Sequence, residues 1–138
     1  MDDVQTSGRA HSPMETANLR LVLEFYDAIL NRQQWERLDE FVDPGYLQHK
    51  PDAADGPAGL REFVQGVYRQ SPRHRVRIVR ALVDGDFVTL HVNVLHAVEA
   101  PSLAVMDIFR VRDGRLVEHW DVAQPVPSAG LRNANGMF

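Results

Sequence analysis

The chain has 138 residues, of which 44% are hydrophobic and 25% charged, and its formal net charge is −4. This composition is typical of one folded globular domain and excludes a disordered chain. The chain has no cysteine, which excludes disulfides, thiolate metal sites and cysteine nucleophiles. Its basic residues do not form the cluster that nucleic-acid binding needs. No stretch approaches the roughly 20 apolar residues of a membrane span. The polar N-terminal segment lacks the apolar run of a signal peptide. We therefore expect a cytoplasmic protein without nucleic-acid or membrane partners.

The first half of the chain has the spacing of helices. Residues 1–12 are predicted to be a flexible tail, and the next segment opens with Ser12, Pro13 and Glu15. This pattern is typical of a helix start, because Ser12 can cap the helix, Pro13 suits its first position and Glu15 completes a capping box. Apolar residues then recur at helical spacing. Helices are predicted over about 13–30, 35–41 and 57–70, with a short extended piece at 46–49.

From Arg73 onward the apolar period changes to two, which indicates strands. Asp84-Gly85-Asp86 and Asp113-Gly114 mark hairpin turns between them. Helices followed by an antiparallel sheet predict an α+β fold in a single domain over residues 13–127. Residues 128–138 are rich in Pro, Gly and Asn and are predicted to form a C-terminal arm. Three or four strands are predicted, at roughly 75–83, 87–97, 103–112 and 115–122.

The last hairpin predicts which side chains share a face of the sheet. A two-residue turn pairs Arg112 with Arg115, and opposed residues lie on the same face. The more apolar face is the one that the helices should cover, and His119 is then expected on the opposite face, at the surface or in an interface. The covered face carries Val105, Asp107, Phe109, Val111, Leu116, Glu118, Trp120 and Val122, and the other face carries Met106, Ile108, Arg110, Val117, His119 and Asp121.

Asp107 lies in the middle of the covered face and is the candidate catalytic residue. A carboxylate on an apolar face needs a polar partner, and it is either a structural aspartate or a general acid or base in a pocket. If the link to the preceding strand centres on Glu99, His91 lies opposite Asp107 within hydrogen-bonding reach. An imidazole that a carboxylate orients is suited to proton transfer.

The face opposite Asp107 is also largely apolar. If His91 lies beside Asp107, the residues that alternate with His91 along its strand lie on this second face. The helices suffice to cover only one face, so a second copy of the chain is expected to cover the other. The sequence therefore predicts a homodimer that packs sheet to sheet. The apolar residues of this face are Leu90, Val92, Val94, Met106 and Ile108.

Three segments resemble the SnoaL-like branch of the NTF2-like superfamily, and the resemblance covers about residues 13–127. It implies an α+β cone in which a curved antiparallel sheet wraps around N-terminal helices, with a pocket at the open end. Proteins of this branch are commonly dimers. The segments are Tyr46-Leu47-Gln48-His49-Lys50-Pro51 with Asp55-Gly56, Val105-Met106-Asp107-Ile108-Phe109-Arg110-Val111, and Asp113-Gly114-Arg115-Leu116-Val117-Glu118-His119-Trp120-Asp121-Val122.

The resemblance also implies a chemistry. The polyketide cyclases of this branch close a ring by intramolecular aldol condensation without metal or cofactor, and an aspartate acts as the base while a histidine assists. The implied catalytic residues are Asp107 and His91, and the implied ligand is a small apolar or polyketide-like molecule. His91, His49, Tyr26 and Tyr46 remain alternative donors to the developing enolate. The implied pocket residues are Tyr26, Tyr46, His49, Phe63, Phe109 and Trp120.

Other functions remain open, because one fold hosts many activities. The alternatives are an isomerase of the ketosteroid-isomerase type, a hydrolase, and a binding protein without catalysis. A metal enzyme is a further alternative, in which His119 and Asp121 join the distant His49 as a set of two histidines and one carboxylate. The expected position of His119 on the opposite face argues against that set, so no metal and no cofactor are predicted.

Overall fold

The computed structural model describes residues 3–96 and 101–138. It has helices in its first half and a five-stranded sheet formed mostly by its second half, which confirms the predicted α+β fold. The helical segments are α1 Pro13–Phe25, a π-helical turn Tyr26–Asn31, a 3-10 turn Trp35–Arg37, α2 Leu38–Phe41 and α3 Gly56–Gln70. The strands are β1 Val42–Gln48, β2 Arg75–Asp84, β3 Phe87–Leu95, β4 Leu103–Arg112 and β5 Arg115–Pro125.

Helix α1 begins as the sequence predicts. The Ser12 hydroxyl accepts a hydrogen bond from the Glu15 backbone N–H, and the Glu15 carboxylate accepts one from the Ser12 backbone N–H. This capping box satisfies two of the N–H groups that a helix start leaves without partners. At its other end the helix widens into the π-helical turn that starts at Tyr26. Such turns are rare overall, and those that occur often lie at functional sites.

The strand order in the sheet is β1-β5-β4-β3-β2. The last four strands form an antiparallel meander, whereas β1 pairs with β5 in parallel. The Asp113-Gly114 turn connects β4 and β5 as predicted. Both residues have positive φ, at 50° and 71°, which is the backbone of the type I′ hairpin turn. One face of the sheet packs on the helices and is called here the concave face; the other is called the outer face.

A β-bulge in β5 contradicts the predicted face assignment beyond Leu116. Arg112 pairs with Arg115 and Val111 with Leu116, but the next pair is Arg110 with Glu118, so Val117 is an extra residue. Side chains alternate along a strand, and one extra residue therefore reverses the face of every residue after it. His119 and Asp121 lie on the concave face, where they were not expected. Glu118, Trp120 and Val122 lie on the outer face, where they were not expected either.

The register of β3 also differs from the prediction by one residue. Leu90 pairs with Asp107, and His91 pairs with Met106, so the expected position of His91 opposite Asp107 was wrong. Leu90 and Val92 are fully buried in the core instead of facing a partner. Glu99, on which the expected link was centred, lies outside the described residues. The apolar side chains that the outer face does expose include Leu82, Met106, Ile108 and Val122, and the homodimer stays a prediction.

Both ends of the chain contact the sheet. The backbone of Gln5 donates to the Val79 carbonyl and accepts from the Ala81 N–H, so the N-terminal segment lies along the free edge of β2. The Phe138 ring stacks on His91 on the outer face, with ring centroids 5.4 Å apart. In the part of the chain that the structure describes, no helix has the length and apolar character to cross a membrane.

Candidate active site

A cavity of about 900 Å³ lies between the concave face of the sheet and α3. This volume is in the range of sites that hold drug-sized molecules. Apolar and aromatic side chains form much of its wall, and one group of polar side chains is gathered around Asp107. The wall includes Phe25, Leu30, Leu60, Phe63, Val64, Val76, Val94, Leu103, Val105 and Phe109, and the polar group consists of Tyr26, Tyr46, Gln48, Lys50, Asp107, His119 and Asp121.

Asp107 is held by a hydrogen bond on each carboxylate oxygen. Its Oδ1 lies 2.6 Å from Nε2 of His119, and its Oδ2 accepts a hydrogen bond from the Tyr26 hydroxyl. Asp107 is 7% exposed and His119 is 6% exposed. A buried carboxylate needs such partners, because leaving it without them costs several kcal/mol. The bulge after Leu116 is what supplies His119 to this pair, since it turns the imidazole to the concave face.

A chain of hydrogen bonds determines which His119 nitrogen carries a proton. The Gln48 Oε1 accepts a hydrogen bond from the Lys50 backbone N–H at 3.0 Å and lies 2.7 Å from Nδ1 of His119. A backbone N–H can only donate, so the Gln48 atom between the two groups is the amide oxygen, and Nδ1 of His119 must donate to it. One further proton is then held between Nε2 of His119 and Oδ1 of Asp107. The pair is therefore either an imidazolium with a carboxylate or a neutral imidazole with a carboxylic acid.

Two tyrosines keep their protons next to this pair. Burial, reinforced by the negative charge of Asp107, raises the pKa of Tyr26 well above its ordinary value. Burial and Asp107 also raise the pKa of Tyr46 strongly, although the hydrogen bond from Gln48 works in the opposite direction. The Tyr46 oxygen accepts that bond from Gln48 Nε2 at 3.2 Å. Within residues 3–96 and 101–138 its own O–H has no acceptor, so it is available to donate to a bound molecule.

Asp121 and Lys50 form a second charged pair in the same group. The Asp121 carboxylate lies 3.5 Å from Nζ of Lys50, which also lies 3.2 Å from Asp52. Burial opposes the charge of Lys50, but the carboxylates of Asp121 and Asp52 outweigh burial and raise the pKa of the ammonium group. In the sheet Asp121 pairs directly with Asp107. The ammonium group of Lys50 therefore offsets the repulsion between two neighbouring carboxylates.

Asp107, His119 and Asp121 are also the residues that are best placed to hold a metal ion. One ligand atom from each lies within 4.8 Å of the others, and two carboxylates with an imidazole are ligands that divalent transition metals accept. The described contacts compete with such binding, because each coordinating oxygen of Asp107 has a hydrogen-bond partner and Lys50 places a positive charge beside Asp121. His49, which the sequence suggested as a third ligand, is not part of this set.

Four of the predicted pocket residues line the cavity and two do not. Tyr26, Tyr46, Phe63 and Phe109 belong to its wall. Trp120 lies on the outer face, because the bulge reverses the residues after Leu116. The side chain of His49 also lies on the outer face, where its ring stacks on Trp120 with centroids 4.8 Å apart and its Nε2 contacts Glu118 at 2.9 Å. The expectation that these two side chains line the pocket was therefore wrong.

His91 lies outside the cavity and does not contact Asp107. Its Nδ1 is 2.6 Å from Nη1 of Arg80, and its ring stacks on Phe138. The position that the sequence analysis assigned to a histidine beside Asp107 is occupied by His119. Sequence reasoning also missed Gln48, although it is part of a segment that carries the family resemblance. No local signal identifies the role of His119, because its face depends on the bulge.

Comparison with known proteins gives one family match. A family model described as a SnoaL-like domain matches residues 22–119. The comparison with curated proteins gives no match.

Solved structures resemble this fold over most of its length. A candidate polyketide cyclase from Bacillus cereus has a TM-score of 0.70 at 21% identity, covering 87% of this chain and 91% of that one. A candidate SnoaL-like polyketide cyclase from a Jannaschia species has 0.72 at 22% identity, covering 84% and 91%. A candidate ketosteroid isomerase from Kribbella flavida has 0.70 at 19% identity, covering 83% of each chain. At these identities the structures confirm the α+β cone and leave the reaction open.

Proposed function

This chain belongs to the SnoaL-like domain family, and we propose that it is an acid–base enzyme that needs no cofactor and acts on an apolar carbonyl compound. The observation that carries this proposal is the buried carboxylate of Asp107, which lies in a cavity of about 900 Å³ and is held by His119 and Tyr26. A fixed carboxylate in a mostly apolar cavity is the arrangement that proton abstraction next to a carbonyl requires.

In the first step Asp107 removes a proton from the carbon beside the substrate carbonyl. Its two hydrogen bonds leave lone pairs on both oxygens, because a carboxylate offers about four acceptor positions. The electrons of the broken C–H bond move to the carbonyl oxygen and form an enolate. The Tyr46 hydroxyl, which has an unused proton, is the donor best placed to stabilise that oxygen. Of the four donors that the sequence left open, Tyr46 is therefore the one we propose.

In the second step the enolate carbon attacks another carbonyl of the same molecule and closes a ring. The new alkoxide takes the proton that Asp107 removed, so the carboxylate is restored and no cofactor is consumed. An isomerase would return the same proton to a different carbon without forming the ring. Both reactions share the first step and the same base, and the names of the similar structures include both activities. We favour ring closure because the family match is to a SnoaL-like domain.

We propose that His119 takes the assisting role that the sequence analysis gave to His91. Both ring nitrogens of His119 are engaged, Nδ1 by Gln48 and Nε2 by Asp107, so the imidazole acts through Asp107 and is a positioning residue. Its proton is shared with the carboxylate and stabilises the charged form of the base. When Asp107 has taken a proton from substrate it becomes a neutral carboxylic acid, while His119 keeps both of its ring protons and Gln48 holds it in the same orientation.

The proposal is tested by following deuterium exchange at the acidic carbon of β-tetralone, an apolar ketone, in heavy water by proton NMR. We expect the wild-type protein to accelerate exchange and Asp107→Asn to slow it by at least tenfold, since acid–base groups contribute on the order of 10²–10⁴. The matched control is Asp113→Asn. It makes the same chemical change in the hairpin turn, where Asn-Gly is a favoured pair, and it should leave the rate unchanged.

The same variant separates an enzyme from a binding protein. If wild type accelerates no exchange while Asp107→Asn binds the ketone as tightly as wild type, the cavity is a binding site without acid–base function. If both aspartate variants lose exchange equally, the carboxylate of Asp107 has no special role. Either result contradicts the proposal.

A hydrolase is the second candidate, and the pair of carboxylates favours it. Asp107 and Asp121 face each other across adjacent strands next to Lys50 and Tyr46, and such polar groups can hold an attacking water. Under this alternative Asp107 would remove a proton from water and not from carbon. Incorporation of labelled oxygen from water into product, without exchange at carbon, would favour hydrolysis over ring closure.

A further inference from the structure

The cavity has a second polar group, formed by His74 and His96, that the proposed chemistry does not use. Both residues line the cavity, and their ring centroids are 5.6 Å apart. His74 is 8% exposed. In each ring Nδ1 is buried and has no hydrogen-bond partner among residues 3–96 and 101–138. Buried polar atoms are nearly always hydrogen-bonded, and both residues line the cavity, so a polar group of a bound ligand would supply a partner for these two nitrogens.

This group lies at the end of the cavity far from Asp107. Leu90 is the β3 residue opposite Asp107, and His96 follows six residues later, which is roughly 20 Å of strand at about 3.3 Å per residue. His74 comes directly before β2, at the position that faces His96 if the pairing of Arg75 with Leu95 continues. The cavity wall between the two polar groups is apolar and includes Val76, Val94, Leu103 and Val105.

The chemistry of the histidine pair indicates a neutral ligand group. Burial, together with the neighbouring His96 and Arg75, lowers the pKa of His74 to about 4, so its ring is neutral near pH 7. A neutral imidazole has one N–H donor and one acceptor nitrogen. A hydroxyl group also donates once and accepts, and it therefore matches this ring. A carboxylate only accepts, so it would leave the acceptor nitrogen of a neutral ring without a donor.

We propose that His74 and His96 bind a phenolic or enolic hydroxyl at one end of the substrate while its reacting carbonyl lies at Asp107. The substrate is then an elongated, mainly apolar carbonyl compound with a terminal hydroxyl group. The carbonyl end of this description rests on the proposed function, but the hydroxyl site does not. Binding alone therefore tests the histidine pair, and exchange at carbon separately tests Asp107.

The experiment compares rigid bisphenols of three lengths: biphenol, dihydroxystilbene and dihydroxyterphenyl, each with its hydroxyls at the two para ends. Each is paired with an analogue in which one hydroxyl is replaced by a methyl group of similar size. We expect at least one bisphenol to bind wild-type protein about tenfold more tightly than its methyl analogue, because one additional hydrogen bond to an unpaired buried group is worth about that factor. In His74→Phe the ratio of the two dissociation constants should fall to about one.

The matched control is His91→Phe, which makes the same change on the outer face and should keep the wild-type ratio. A second measurement needs no variant: the imidazole nitrogen resonances of His74 in labelled wild-type protein should shift with the bisphenol and not with the methyl analogue. The proposal is wrong if no bisphenol exceeds its analogue in wild type, or if the tighter binding leaves the His74 resonances unchanged. Neither result bears on the role of Asp107, which the deuterium-exchange experiment tests separately.

Discussion

The concave and outer faces of the sheet each hold a histidine with a polar partner, but the two histidines are prepared for different roles. On the concave face Nδ1 of His119 donates to Gln48, so Nε2 is directed at the carboxylate of Asp107. On the outer face Nδ1 of His91 lies 2.6 Å from Arg80. Arginine can only donate, so Nδ1 of His91 accepts. The comparison shows that the face of the sheet and the hydrogen-bond partner of Nδ1 decide whether a histidine can share a proton with a base.

Removal of the imidazole on each face should give the largest difference in exchange rate between the two faces. We expect His119→Ala to slow exchange on the probe ketone by on the order of 100-fold, because Asp107 loses the partner that stabilises its charge. His91→Ala should change the rate by less than about twofold. Exchange rates of both variants measured against wild type check the comparison.

A merely structural role for His119 is distinguished by chemical rescue. Imidazole added to His119→Ala should restore part of the rate if the ring acts on Asp107, since it can occupy the space that the side chain leaves. It should have no effect on His91→Ala. Equal losses in the two variants, or a loss that imidazole does not restore while the variant remains folded, would contradict the assignment.

The next effect concerns the residue that orients His119. In Gln48→Leu the Nδ1 proton of His119 has no acceptor, and the Tyr46 hydroxyl loses its donor. We expect about a tenfold loss of kcat with little change in KM, since the substrate-facing atoms remain. The shape of the pH profile should also change, because the imidazole is no longer restricted to one tautomer. Gln124→Leu on the outer face of β5 is the matched control. An equal loss of kcat in that variant would contradict the proposal that Gln48 orients His119.

Much of the fold follows from local sequence signals. Two such signals are the capping box at Ser12 and Glu15 and the Asp113-Gly114 turn. Each depends on only a few neighbouring residues, so it can be predicted from the sequence alone. The alternating pattern from Arg73 onward located all four strands of the meander within a few residues. Asp107 was also identified correctly as a buried carboxylate on the covered face, because it lies before the bulge.

The candidate site was harder to predict because two of its features depend on register. The alternation around Val117 fits either register. The bulge is defined only by the pairing of β5 with β4, where Arg110 pairs with Glu118 and Val111 with Leu116. The predicted pairing of β3 with β4 was also wrong by one residue, and this second error placed His91 on the wrong face. Each error reverses a whole set of side chains, so a correct list of strands still assigned the wrong histidine to Asp107.

The smallest effect concerns stability, at the end of the concave face far from Asp107. The pKa of His74 is lowered to about 4 in the folded protein, whereas an unfolded histidine has a value near 6.5. Between these values the unfolded chain binds a proton that the folded protein excludes, so stability falls as the pH is lowered from about 6.5 to about 4 and does not fall further from this group below that. Because His74 lines a cavity and pH 5 reaches only part of this range, we expect a loss on the order of 1 kcal/mol. Urea unfolding at pH 7.5 and pH 5 should show this loss in wild type and a smaller one in His74→Phe, and equal losses in the two proteins would contradict the lowered pKa of His74.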